Sequence, residues 1–543
     1  MKLSFYGADR CVTGSCHCLE VNGKRILVDC GLQQGRDETD NAVLPFEPKE
    51  IDSVLVTHAH IDHTGRIPML VRRGFAGKIH TTRLTAQLMD VMLQDSAHIQ
   101  ETETAYDNRK KQRAGRAQEE PIYTVDDALK VRDHIVPCEY GETVEVCAGV
   151  KATFIDAGHL LGSASILVEL IEGDMHRTIV FSGDIGNVDQ PIIRDPQTFS
   201  GADYVVMEST YGDRNHREVW SYTDELAEII DETLGRGGNV IIPSFAVGRT
   251  QELLYFIREI KDAHLVRSVE DFPVYVDSPL AREVTKLFCG DLSGYLDEAG
   301  MELVRDGEAM FSFPGLHMTE TTDESKALNM DRTPKVIISA SGMCDAGRVR
   351  HHLKHNLWRA DSAVVFVGFQ APGTLGRTLL DGADRLKLFG DEIAVRAKVV
   401  NFLGLSSHAD HDHLVGWIGS FTEKRPEHVF VVHGDPEVAP AFAQELCDLG
   451  YSAHAPLYTE EYDLAACTQL KAGVLPERKE TSSGDASSRT SPVYRGLLEA
   501  LDRLTALIRR SRGRDNRSLT ALTGELERIT EEYGFDPEEY GKR

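Results

Sequence analysis

The stretch VLVTHAHIDHTGRIPML, residues 54–70, sets His58, His60, Asp62 and His63 within six positions directly after an apolar run. SVLVT reads as the end of a strand and GRIPMLVRRG as the helix that follows. The four polar residues therefore sit where a buried strand stops, a place where side chains emerge into a crevice. In an extended connection His58 and His60 share one side, and Asp62 and His63 lie a turn further on. Imidazole nitrogen and carboxylate oxygen are ligands that zinc favours, so the cluster is a candidate metal site. The bland alternative is a surface loop that happens to be rich in histidine. A metal site also needs ligands from elsewhere in the chain.

They are available at similar places. ATFIDAGHLLGSASILVEL (152–170) offers His159 at a turn between two strand-like runs, IVFSGDIG (179–186) offers Asp184, and VFVVHGD (429–435) offers His433. A lone histidine at a strand end is usually structural. Here each polar residue terminates an apolar strand, so all can converge on one edge of a sheet.

The rest of the chain has an α/β texture. Short β-branched runs such as NVIIPS (239–244), KVIISAS (335–341) and AVVFVGF (363–369) alternate with amphipathic stretches, the rhythm of buried sheets flanked by helices. At 543 residues the chain exceeds what one hydrophobic core usually serves, so two or more domains are expected. No apolar run is long enough to span a membrane and MKLSFYGADR lacks a signal-peptide pattern, so a cytoplasmic protein with no membrane association is expected. The ten cysteines form no CxxC pair and read as reduced thiols. A net charge of -27 argues against a broad basic surface, so a polyanionic substrate would need a local positive cleft. Residues 476–492, PERKETSSGDASSRTSP, read as a linker. Beyond it, Leu497, Leu501, Leu504 and Ile508, then Leu522, Leu526, Ile529 and Tyr533, mark two amphipathic helices. Their apolar faces suit a homodimer contact, a protein partner or the body of the chain.

HAHIDH, followed at long range by AGH, SGD and VVHGD, resembles the metallo-β-lactamase superfamily. The remaining motifs resemble its β-CASP nuclease branch: Glu208 in VVMESTYGDRNH, His408 in LSSHADHDH, His433, and Asp29 in ILVDCG. PSFAVGRTQELL (243–254), VDSPLA (276–281), SASGMCDAGR (339–348) and VGFQAPGTLGR (367–377) are similar to that branch too. The likeness covers roughly residues 1–470. It is nearer to bacterial relatives of the endonuclease subunit of the cleavage and polyadenylation specificity factor than to RNase J.

The resemblance implies an αββα four-layer metallo-β-lactamase sandwich with an inserted α/β β-CASP domain. The implied boundaries are 1–210 and 395–475 for the sandwich and 211–394 for the insert, followed by the linker and a helical C-terminal tail over 493–543. It further implies two Zn(2+) ions, one on His58, His60 and His159, the other on Asp62, His63 and His433, with Asp184 bridging. Asp29 would orient a ligand histidine through its free ring nitrogen. Asp62, Asp184, Glu208 and His408 make up the implied catalytic group, His408 helping to protonate the departing oxygen. A histidine at the position of His433 is typical of RNA-cleaving members, so RNA is favoured over DNA; the expected substrate is single-stranded RNA, with endonucleolytic processing the first reading and exonuclease action left open. Competing readings are a DNA nuclease on the same scaffold, a small-molecule hydrolase, and an inactive RNA-processing scaffold.

Other features carry local expectations. Arg249, Arg348 and Arg377, each in a glycine-bearing loop, suit phosphate oxygens. Phe245 and Phe369 read equally as core or as stacking partners for bases. In HADHDH (408–413), Asp410 or Asp412 reads as a helix cap, as does Asp435 before Pro436. Residues 95–125, with the basic run RKKQRAGR, read as a helical lid or, more plainly, a solvated face.

Overall fold

The computed structural model describes residues 1–34, 39–216, 221–305, 310–370, 373–402 and 406–475, with Thr523 and Arg528 beyond them. The linker and the tail helices thus lie outside the described residues, those two apart.

Two sheets carry the first part of the chain and its end. One has eight strands in the order Thr468–Lys471, Glu461–Asp463, Lys2–Phe5, His17–Val21, Lys24–Val28, Ser53–Leu55, Lys78–Thr82 and Ile135–Cys138. The other has seven, in the order Ala453–His454, His428–Val431, Tyr204–Met207, Met175–Phe181, Ala164–Glu172, Val150–Asp156 and Thr143–Cys147.

Period-two alternation along these strands builds the layers. Leu3, Phe5, Ile26, Val28 and Leu55 of the first sheet meet Phe154, Ile166, Val168, Phe181, Val206 and Phe430 of the second in one buried core. Leu27, Val54 and Ile79 point the other way, into a core shared with Leu84, Leu88 and Met89 of the helix Arg83–Arg113. Val180, Val205, Val429 and Val431 pack on Leu414, Trp417, Phe442 and Leu446 of the helices His411–Gly419 and Val438–Asp448. The result is helix, sheet, sheet, helix.

Between Tyr204–Met207 and His411–Gly419 lies a third sheet, six strands all in parallel, in the order Leu316–Met318, Val274–Val276, Val336–Ser339, Val240–Pro243, Ala363–Phe366 and Lys398–Asn401. Every residue of its three central strands is buried, as expected where helices cover both faces. The last of the six strands runs a few residues past the return expected near 395, because it pairs with Ala363–Phe366. Arg83 ties the insert to the sandwich by donating to the carbonyls of Asp291 and Ser293 while lying over the Tyr295 ring.

Three local expectations can be compared with the chain. Asp410 does cap its helix, its carboxylate accepting from the backbone N–H of His413. Asp435 does not: the following helix starts at Val438 with Glu437 at the cap, and the Asp435 carbonyl accepts from Val438 and Ala439. RKKQRAGR (109–116) closes the 31-residue helix Arg83–Arg113 and is solvated, with Lys110 paired to Asp107 and Lys111 to Glu119. No disulfide joins any of the ten cysteines, and no helix among the described residues is long and apolar enough to cross a membrane.

VDSPLA supplies the insert's main polar staple. Asp277, fully buried at the end of Val274–Val276, accepts from His352 Nε2 at 2.6 Å, Ser325 at 2.5 Å and Arg348 Nη1 at 2.7 Å, and from the Thr319 hydroxyl. Burial opposes its ionisation, but these donors hold the carboxyl well below the usual carboxylate range. Removing one partner of such a buried charge network costs about 3–5 kcal/mol. Asp277→Ala is therefore expected to lower unfolding stability by about that amount in denaturant titration, whereas a change under about 1 kcal/mol would show the staple to be incidental.

Candidate metal centre

The strand Ser53–Leu55 ends three residues before His58, and His60 precedes the one-turn helix Ile61–Thr64 that carries Asp62 and His63. His159 lies in the turn between Val150–Asp156 and Ala164–Glu172, Asp184 just past Met175–Phe181, and His433 just past His428–Val431. Close backbone approach explains two glycines. A side chain on Gly31 would sit 1.5 Å from the Asp62 carbonyl oxygen, and one on Gly183, at φ +57°, would sit 2.8 Å from Thr57 Cβ. Asp29 and His433 themselves adopt left-handed φ of 61° and 47°, strain that persists only where the surroundings enforce it.

The expected ligands converge. Candidate ligand atoms of His58, His60, His159 and Asp184 lie within 4.8 Å of one another, as do those of Asp62, His63 and His433. The Asp184 carboxylate stands between the groups. Its Oδ2 is 3.4 Å from His58 Nε2 and 3.5 Å from His159 Nε2, while its Oδ1 is 3.2 Å from His63 Nε2 and 3.7 Å from His433 Nε2. His60 Nδ1 lies 3.0 Å from His58 Nε2 and 3.2 Å from His159 Nε2. His433 Nε2 is 3.5 Å from Asp62 Oδ2.

The far side of four of the imidazoles is already committed. His63 Nδ1 donates to Asp29 Oδ2 at 2.8 Å, and His159 Nδ1 donates to the Ser407 carbonyl at 3.1 Å. Thr57 donates its N–H and its hydroxyl to Asp29, each at 2.8 Å, leaving its oxygen 3.1 Å from His58 Nδ1. The Thr210 hydroxyl meets His433 Nδ1 at 3.0 Å. The Nε2 atoms of His58, His63, His159 and His433 and the Nδ1 of His60 therefore face the interior. His63 Nε2 and Asp184 Oδ1 are buried atoms without a hydrogen-bond partner.

That donor set fits metal ions. Ligands held tetrahedrally at about 2.0–2.1 Å lie about 3.3 Å from one another, close to the spacings around Asp184 and His60. Electrostatics divide the imidazoles: burial opposes the charge on His63 and His433, but Asp184 and Asp62 outweigh it and raise both, so these two would release a proton on ligating. Burial, joined by the His63 charge at His58 and by His408 at His159, keeps both imidazoles well below the usual histidine range, in the neutral form that ligates. Burial would raise Asp62, but His63 and His433 bring it down to about 2. Asp184 is likewise pushed up by burial and pulled well below its ordinary value by His433, His63 and His58.

His408 and Glu208 stand beside the cluster. Glu208 is fully buried, and its Oε1 accepts from the Ile185 N–H at 2.6 Å and meets His408 Nδ1 at 3.1 Å. His408 Nε2 is 3.9 Å from Asp184 Oδ2. Burial lowers the affinity of His408 for its proton, but Glu208 and Asp184 outweigh it and raise the pKa to about 9.

Each of the three arginines expected to suit phosphate already has a partner within the protein. Arg249 is buried against Glu252, Arg348 is bound to Asp277 and to the Glu320 carbonyl, and Arg377 pairs with Asp381. Arg249 opens its helix and Arg377 lies in the first turn of another, and each finds a carboxylate one turn on. Sequence reasoning also missed Thr57, Thr210 and the Ser407 carbonyl, which fix the rings. Threonine beside a histidine has no signature, and a backbone carbonyl has none at all.

The fold and this centre define a metallo-β-lactamase-type metal-dependent hydrolase. Comparison with known proteins agrees: residues 9–231 match the metallo-β-lactamase superfamily, 250–379 the Beta-Casp domain, and 392–456 the Zn-dependent metallo-hydrolase RNA specificity domain. The chain is 39% identical over 438 residues to Ribonuclease TTHA0252 of Thermus thermophilus, covering 80% of this chain and 94% of that one. It is 31% identical to an RNase J-like protein of Methanocaldococcus jannaschii, covering 82% and 95%. To transcription termination factor FttA of the same organism it is 30% identical, covering 82% and 68%. The chain belongs to the β-CASP branch of the metallo-β-lactamase superfamily.

Because Asp29 anchors both His63 and Thr57, Asp29→Ala is expected to weaken metal affinity about 10- to 100-fold in competition with a chromogenic chelator. Unchanged affinity would show that these hydrogen bonds do not orient the ligands.

Proposed function

We propose that the protein is a zinc-dependent ribonuclease that hydrolyses phosphodiester bonds within single-stranded RNA. Asp184 carries this reading: its two carboxylate oxygens face two separate sets of ligand atoms, the arrangement a pair of ions requires. His58, His60 and His159 would hold one zinc, Asp62, His63 and His433 the other, with Asp184 shared. Such a pair supplies an activated water at neutral pH and positive charge opposite the phosphoryl oxygens.

The protein's own groups supply the rest. Burial disfavours the charge on His408, but Glu208, which holds its Nδ1, favours the protonated form, and the His408 Nε2 faces the cluster. His408 would protonate the departing oxygen, with Glu208 stabilising the imidazolium until then. Arg377 is half exposed, and its pair with Asp381 is a surface contact worth a few tenths of a kcal/mol, so a phosphate displaces it at little cost. Support for RNA comes from the RNA specificity domain over 392–456 and from the ribonucleases among the relatives.

End-labelled single-stranded RNA is expected to be cut internally, with loss of cutting in chelator and recovery on adding zinc. Preferential cutting of DNA of equal sequence would replace this reading by a DNA nuclease. Asp184→Ala should abolish cutting in a protein that still melts cooperatively. For His408→Ala, a fall in kcat of about 10²- to 10⁴-fold with metal content unchanged is expected. A kcat within about threefold of wild type would remove His408 from the chemistry.

A further inference from the structure

The metal centre addresses the RNA backbone and leaves the bases without a partner. On the inserted sheet, Phe245 and Phe369 are 42% and 41% exposed. They follow the neighbouring parallel strands Val240–Pro243 and Ala363–Phe366, so both lie at the carboxyl edge of the sheet, where open α/β sheets bind ligands. Lys398–Asn401 ends on that edge beside Phe366, where the Phe402 N–H donates to the Phe366 carbonyl at 2.8 Å, and His408 follows seven residues after Asn401 in the chain.

The seat of Phe245 is built rather than loose. Its carbonyl accepts from the Thr250 hydroxyl at 2.7 Å, the Thr250 N–H at 3.2 Å and the Ser244 hydroxyl at 3.2 Å. Its ring rests on two glycines from the adjacent strand ends. A side chain added at Gly342 would sit 3.0 Å from the ring, and one at Gly368 3.7 Å. Gln370, itself buried, clamps both glycines through one nitrogen: Nε2 donates to the Gly342 carbonyl at 3.0 Å and to the Gly368 carbonyl at 3.2 Å. A solvent-facing phenyl ring gains little from burial, so a braced backbone and a glycine floor serve to hold an open face in place.

Building on the ribonuclease reading, we propose that Phe245 and Phe369 form a stacking platform for nucleobases of the RNA next to the cut. Every base has a π-face, so stacking holds a strand without reading its sequence. It also suits a chain of net charge -27, on which backbone attraction alone is weak.

The test uses the full chain and a series of RNAs of one sequence, each with a single abasic nucleotide at a different distance from the cut. Wild type should show KM raised about five- to a hundredfold when the missing base falls at one or two fixed distances. Phe245→Ala and Phe369→Ala should raise KM on intact RNA by a similar factor, with kcat changed less, and should lose the abasic penalty. Phe245→Trp should restore both. Gly342→Ala keeps the ring but crowds it, so a raised KM there, with an unchanged melting temperature, ties the effect to ring position. If wild type cuts intact RNA and both alanine variants retain its KM and its abasic penalty, the platform is wrong while the nuclease stands. If wild type neither binds nor cuts RNA, the ribonuclease reading fails and the platform with it.

Discussion

One buried carboxylate organises this molecule. Asp184 sits among imidazoles whose outer nitrogens are taken by Asp29, Thr57, Thr210 and the Ser407 carbonyl, so their inner nitrogens can turn only toward it and toward each other. Imidazole nitrogens and carboxylate oxygens crowded about 3 Å apart inside a protein are costly, because the protons they hold satisfy only some of these contacts. Cations satisfy them all. The fold thus stores an electrostatic deficit that metal binding removes, and the strained backbone at Asp29 and His433 belongs to the same arrangement.

The chain path explains how distant segments meet there. Parallel strands deliver their carboxyl ends to one edge, and the edges of the sandwich and the insert are joined by the segment that carries Ser407 and His408. Ser407 orients His159 through its carbonyl, and the next residue reaches Glu208, so the segment leaving the insert completes the cluster in the sandwich. Asp277, by contrast, lies in an equally distinctive motif and is spent on holding the insert together.

Much of this was legible in the sequence because strand ends announce themselves. An apolar run that stops at His58, Asp184 or His433 says both where the strand is and where its terminal side chain emerges, and the structure brings those residues together. The partners of the arginines were not legible. Arg348 finds Asp277 across 71 residues, and no local pattern announces a contact of that range. Phe245 was ambiguous for the same reason: its seat comes from Gly342, Gly368 and Gln370, glycine-bearing loops that look like ordinary turns until the strand order makes them neighbours. The start of the helix at Val438 escaped because Asp-Pro satisfies the rule for a helix start equally well two residues early.

The most direct measurement of the central claim is anomalous diffraction at the zinc edge from crystals of the purified full chain. The account predicts two peaks about 3.5–4 Å apart, with the Asp184 carboxylate contacting both. A single peak, or imidazoles closed on one another around Asp184 with no ion between them, would contradict it.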